Sequence, residues 1–147
     1  MDYQTKPSKG RVLALDLGKK RIGLALSDPL GITAQGLPTY HRTNIREDMA
    51  ALTALIEEHG VTLLLMGHPL HMSGRDSRQA EYTREFAERL SEHSGIAVRY
   101  WDERLTSVEA ERVLKESGIS IEKRAKAVDR LAAVILLTSF LDSGAAQ

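Results

Sequence analysis

The stretch Arg11-Val12-Leu13-Ala14-Leu15-Asp16-Leu17-Gly18-Lys19-Lys20-Arg21-Ile22-Gly23-Leu24-Ala25-Leu26-Ser27-Asp28 constrains the fold most. It reads as two apolar strands separated by a carboxylate, a glycine and a run of cations. Leu13, Leu15 and Leu17 alternate with Val12, Ala14 and Asp16, so a segment apolar on both faces carries one charged side chain near its C-terminal end. Gly18 is expected to take a positive φ that a branched residue could not, closing a hairpin whose second strand returns beside the first. Asp16 then lies at the hairpin mouth, where an acid among apolar neighbours needs a structural or chemical partner.

The remainder of the chain supplies the layers around that hairpin. Residues 31–40 are read as a third strand or loop, broken by Gly36 and Pro38 and therefore at a sheet edge. Asn44 caps a helix in which Ile45, Met49, Leu52, Leu55 and Ile56 recur at helical spacing as far as Gly60. Val61 to Met66 is a continuous apolar run between Gly60 and Gly67, the pattern of a central parallel strand. After a polar loop over 71–77, Tyr82, Phe86 and Leu90 mark a second helix ending at Gly95, and 96–101 forms the next strand. Thr106 and Glu109 make a capping box for a helix reaching Gly118, residues 119–126 are read as a charged linker, and 127–141 as an apolar helix. The order predicts an α/β fold, a mixed five-stranded sheet with helices on both faces. It forms one domain over 11–142, between a flexible lead-in at 1–10 and a flexible tail at 143–147.

The 147 residues contain no cysteine, which excludes disulfides, a thiolate nucleophile and cysteine-ligated metals. No window approaches the ~18 consecutive apolar residues of a membrane span, and the polar N-terminus lacks the apolar core of a signal peptide, so a cytoplasmic protein is expected. Twenty cations balance twenty anions, and any nucleic-acid affinity has to come from local clusters. One such cluster is Lys6, Lys9, Arg11, Lys19, Lys20 and Arg21, and another is Lys115, Lys123, Arg124, Lys126 and Arg130; a solvated face is the ordinary meaning of either.

In open α/β sheets ligands bind at the carboxyl ends of the strands. That edge gathers Asp16, the turn Gly67-His68-Pro69-Leu70 and Glu103. Asp129 shares a helical face with Ala132, Ala133 and Leu136, and the alanines allow that helix to approach the sheet. Three carboxylates in one cleft either take up protons or bind cations, and oxygen-only ligation suits Mg²⁺ or Mn²⁺. Paired divalent ions would serve phosphodiester hydrolysis. Singly, Asp16 also reads as a turn acid, Glu103 as a partner of Arg104, and Asp129 as an acid favoured by the helix dipole.

Taken in order, Asp16-Leu17-Gly18, Lys20-Arg21-Ile22-Gly23-Leu24-Ala25, Ser27-Asp28, Gly67-His68-Pro69-Leu70, Asp102-Glu103-Arg104-Leu105-Thr106 and Asp129 with Ala132-Ala133 resemble the YqgF (RuvX) family of pre-16S rRNA nucleases, also called Holliday junction resolvases. The resemblance spans nearly the whole chain. It implies a ribonuclease H-like fold and a metal-dependent nuclease with Asp16, Glu103 and Asp129 as catalytic metal ligands for Mg²⁺ or Mn²⁺. Lys20, Arg21, Arg104 and Thr106 are then expected at the substrate phosphates or in support of the site. The implied partners are pre-16S rRNA, branched DNA and the small ribosomal subunit, with no membrane, and the protein a monomer or homodimer. His68, His71, Ser73 and Thr138 depart from the family's usual pattern. Two further readings stay open: a nucleic-acid-binding ribosome assembly factor with weak catalysis, and a phosphate-binding hairpin like that of actin-like ATPases.

Overall fold

In a computed structural model the chain is described over residues 10–68, 76–102, 116 and 121–144. Five strands, β1 (Arg11–Leu17), β2 (Arg21–Ser27), β3 (Ala34–His41), β4 (Val61–His68) and β5 (Val98–Asp102), form one sheet in the order β3-β2-β1-β4-β5. The β1–β2 and β2–β3 pairs are antiparallel, whereas β1–β4 and β4–β5 are parallel. Three helices have described bounds, α1 (Ile45–His59), α2 (Asp76–Ser94) and α3 (Ile121–Asp142), and Glu116 is also helical. This is the expected mixed five-stranded α/β sheet. The lead-in over 1–9, most of the loop at 71–77, residues 145–147 and, apart from the helical Glu116, the expected helix from Thr106 lie outside the described residues.

Strand alternation divides the core into two layers. Leu13, Leu15, Ile22, Leu24, Leu64 and Met66 pack with Met49, Leu52, Phe86 and Leu90 of α1 and α2. Val12, Ala14, Ala25 and Leu65 face the other way, against Ala133, Leu136, Leu137 and Phe140 of α3. Each fully buried leucine contributes roughly 1.5–3 kcal/mol relative to its exposed state. The alanines on both sides of the second layer let α3 lie close to the strands.

Local chemistry explains where elements begin, end and bend. The Asn44 side chain accepts the Glu47 N–H at 2.9 Å to start α1, and Gly60 ends that helix in the left-handed region with φ 65°. Between Arg11 and Val12 the β1–β4 register shifts, and the buried Ser27 hydroxyl accepts the Val12 N–H at 2.8 Å. Two residues of β3, Pro38 and Thr39, stand opposite the single residue Gly23 of β2, so the proline sits in a bulge on the edge strand.

Three boundaries differ from the sequence reading. Helix α3 begins at Ile121 rather than 127, because Glu122, Lys123, Arg124 and Lys126 are good helix formers whose charge resembles that of a linker. Asp142 is still helical, and Ser143 closes the helix with its hydroxyl donating to the Phe140 carbonyl at 2.6 Å. The strand before the last helices is β5, displaced to Val98–Asp102. Its Trp101 is held to α3 edge-on against Phe140, with ring centroids 5.2 Å apart, and by donation from Nε1 to the Ser139 hydroxyl at 3.1 Å.

Candidate active site

Asp16 is the penultimate residue of β1 and half-buried. Alternation puts it on the same face as Val12 and Ala14, which is the α3 face. Directly opposite it on β2 is Gly23. On its other side, the pairing of Leu15 with Met66 brings Gly67 of β4 to the same level, and Gly67 in turn pairs with Trp101 of β5. The carboxylate therefore stands between two strand positions that carry no side chain.

The hairpin beyond Asp16 is tightly closed. Gly18 donates its N–H to the Arg21 carbonyl at 2.9 Å. The expected positive φ at Gly18 is not found; its φ is not in the left-handed region. Glycine is required for another reason, since a Cβ here would fall 2.7 Å from the Arg21 carbonyl oxygen. That oxygen belongs to the backbone and cannot move without opening the turn. Gly18→Ala is expected to cost on the order of 2 kcal/mol, in the range typical of local strain, and to reduce activity by displacing Asp16. Urea melts and cleavage assays on one preparation check both effects.

A buried polar network, which no periodic pattern in the sequence announces, holds this hairpin to the helices. Arg42 donates Nε to Asp48 Oδ2 at 2.9 Å, and Nη1 to the Gly18 carbonyl at 3.0 Å and to the Tyr82 hydroxyl. Its main-chain N–H donates to the Lys20 carbonyl at 2.8 Å. Asp48, 1% exposed, also accepts from the Tyr40 hydroxyl at 2.9 Å and the Thr43 N–H at 3.0 Å. The Arg42 guanidinium packs over the Phe86 ring at 4.9 Å from its centroid. Burial alone would raise the Asp48 carboxyl, but the Thr43 N–H, Arg42 and Tyr40 outweigh it and hold the group below its ordinary pKa. Burial and the neighbouring Asp48 push the Tyr40 phenol up.

The predicted site residues are placed unevenly. Lys20 is exposed at the hairpin turn, and Arg21, partly exposed, opens β2. Asp129 lies in α3, one turn before the buried Ala132 and Ala133. Its neighbour Arg130 donates Nε to the Leu37 carbonyl at 3.0 Å, tying that end of the helix to β3. Gly36 makes this possible, because a Cβ there would lie 2.7 Å from Arg130 Cγ. Glu103, Arg104 and Thr106 lie outside the described residues, as does His71; Asp102, which ends β5, pairs with His68. Among the described residues no three His, Asp or Glu side chains gather to hold a metal, and Asp16 is the one predicted ligand whose side chain is described.

A mixed five-stranded sheet in this order, with an acid near the end of its central strand, is the ribonuclease H-like fold. Among solved structures, Thermus thermophilus RuvC in complex with a Holliday junction substrate matches with a TM-score of 0.58 at 13% identity, covering 92% of this chain and 95% of that one. Fowlpox virus resolvase in complex with Holliday junction DNA matches with a TM-score of 0.54 at 12% identity, covering 90% and 97%. At these identities the likeness concerns the fold.

The family model described as "RuvX: Holliday junction resolvase" matches residues 10–143, and the chain belongs to that family. A relative from Koribacter versatilis, named "Putative pre-16S rRNA nuclease", is 56% identical over 133 residues, covering 90% of this chain and 87% of the relative. Relatives of the same name from Moorella thermoacetica and Myxococcus xanthus are 47% and 44% identical, each over 90% of this chain and over 94% and 88% of their own lengths. Membership makes the protein a hydrolase of phosphodiester bonds.

Proposed function

We propose that the protein is a divalent-metal-dependent nuclease that trims the 5′ end of pre-16S rRNA in the cytoplasm. The observation that carries the substrate is the identity of 44–56% to relatives bearing that name. The half-buried carboxylate of Asp16, set between Gly23 and Gly67, is a hard oxygen donor, and so fits Mg²⁺ or Mn²⁺. Asp16, Glu103 and Asp129 would hold the metal. When bound, such ions supply Lewis acidity and a nucleophilic water in line with the leaving oxygen.

The chain's own residues do the rest. Lys20 and Arg21 neutralise and steer the phosphate backbone toward Asp16, and Arg104 and Thr106 contact phosphate or brace Glu103. Arg42 fixes the turn that carries these cations. The family description favours a second reading, resolution of branched DNA.

Incubating the protein with a pre-16S rRNA fragment and with a four-way DNA junction, in Mg²⁺ and in Mn²⁺, tests the two together. Cleavage of the RNA near the mature 5′ end, with the junction left intact, is the expected result. Symmetric cuts in the junction alone would replace the first reading by the second. Cleavage of neither would favour an assembly factor.

A further inference from the structure

On the α2 side of the same hairpin lies an open groove of about 440 Å³ lined by Lys19, Arg78, Gln79 and Tyr82, within the ~300–1,000 Å³ of small-ligand clefts. Lys19 and Arg78 are exposed, and among the described residues neither has a carboxylate within ion-pair distance. Tyr82 is 36% exposed; Arg42 holds its hydroxyl and lies over the ring at 5.8 Å from the centroid, which leaves the opposite ring face for a base. A ring fixed at its polar end keeps one orientation, and a base stacking on it loses little side-chain entropy in the protein.

We infer that this groove is a subsite for a single-stranded segment of nucleic acid, with one base stacked on Tyr82 and adjacent phosphates on Lys19 and Arg78. A base offers its flat face only when unpaired, so the ring selects single strands, whereas the two cations accept any phosphate backbone. Gln79 adds an amide that can donate to or accept from a base edge. Beyond Tyr82 the surface continues as a groove past Ile45 and Arg89, but Glu85 and Glu92 line it there. Among the described lining residues, the stretch without a carboxylate is the one at the hairpin tip; farther along, Arg42, Arg46 and Arg89 are interleaved with Glu85 and Glu92. Arg42 bonds both Tyr82 and the Gly18 carbonyl, so the stacking ring and the strand end bearing Asp16 are braced by one side chain. A strand seated here would be held on one flank of the turn while its scissile phosphate lies on the other. The inference rests on the nuclease reading for the identity of the ligand, but its test does not require cleavage.

The test is fluorescence anisotropy in EDTA with a labelled 12-nucleotide single-stranded RNA and, separately, its duplex. At the lower end of base–aromatic stacking, ~1 kcal/mol, Tyr82→Leu weakens single-strand binding about fivefold and leaves duplex binding unchanged. Tyr82→Phe, which keeps the ring and lacks the hydroxyl, recovers most of that loss. Lys19→Ala/Arg78→Ala lowers the slope of log affinity against log salt by about 1.4, the value for two single-strand phosphates. Single-strand binding by Tyr82→Leu as tight as wild type, or an equal loss for single strand and duplex, overturns the subsite, as does a Tyr82→Phe variant as weak as Tyr82→Leu. If Tyr82-dependent binding is found in a protein that cleaves nothing in Mg²⁺ or Mn²⁺, the subsite stands and the nuclease reading falls.

Discussion

Asp16→Asn is expected to reduce metal-dependent cleavage by at least about 100-fold while leaving the melting temperature within a few degrees of wild type. Loss of a partner in a metal's outer shell commonly costs ~10–100-fold, and replacement of a direct ligand removes both a charge and a donor oxygen. Asparagine has the same shape and fits the same strand position between Gly23 and Gly67. Asp28→Asn is the matched control. Asp28 sits at the opposite end of β2, where its carboxylate accepts the N–H groups of Ile32 and Thr33 at 2.7 and 3.3 Å. The Ile32 N–H foremost holds that carboxyl below its ordinary pKa, so its work is to shape the β2–β3 turn. Cleavage should survive that change. Product gels across a metal titration, with thermal melts on the same samples, separate the outcomes. Cleavage by Asp16→Asn at the wild-type rate would remove Asp16 from the site, and a melting temperature lowered by ten degrees would make it a structural acid.

What could be read from sequence followed from repeating patterns. The alternation around Asp16 placed β1, the apolar run 61–66 placed a central parallel strand, and Asn44 with Gly60 bracketed α1, because each rests on a local rule of spacing or capping. The sequence marks the Gly18 turn through a positive φ open to glycine, whereas the structure needs glycine there for the close approach of the Arg21 carbonyl. Positive φ and close backbone approach both demand glycine, and a sequence does not distinguish them. The segment 121–126 reads as a linker in the sequence because the residues that favour helices are also the charged residues of linkers. The network of Arg42, Asp48, Tyr40 and Tyr82 is not legible in the sequence, where Tyr82 reads simply as one residue of a helix face. Its members come from a strand end, a loop and two helices, and a side-chain network assembled across 40 positions leaves no periodic trace.

That network carries the second large effect. Asp48→Ala is expected to destabilise the protein by about 3 kcal/mol, the lower end for removing one partner of a buried pair, or roughly 10 °C in melting temperature for a chain of this size. The lower end applies because Arg42 keeps 11% of its side chain exposed, against 1% for Asp48. The cost arises from what is left behind: a guanidinium without its counterion, and the Tyr40 hydroxyl and Thr43 N–H without their acceptor. The pH dependence has a definite sign. The folded carboxyl titrates below the ordinary value of 3.8, so its contribution is complete above that pH and is lost as pH falls through the lowered folded value. Tyr40, raised above its ordinary 10.0, contributes fully below pH 10 and loses its share as pH rises through the folded value. Urea melts between pH 2 and 11 should show both limbs, the acid one flattened in Asp48→Ala and the alkaline one in Tyr40→Phe. The double variant Arg42→Met/Asp48→Leu separates stability from positioning. Apolar side chains of similar size should restore much of the lost stability, because no buried charge remains unpaired. They cannot hold the Gly18 carbonyl, and the Tyr40 hydroxyl and Thr43 N–H still lack their acceptor, so cleavage should stay low in a protein that melts above Asp48→Ala but below wild type. Equal recovery of both would mean that the network only stabilises the fold and leaves the hairpin to position itself.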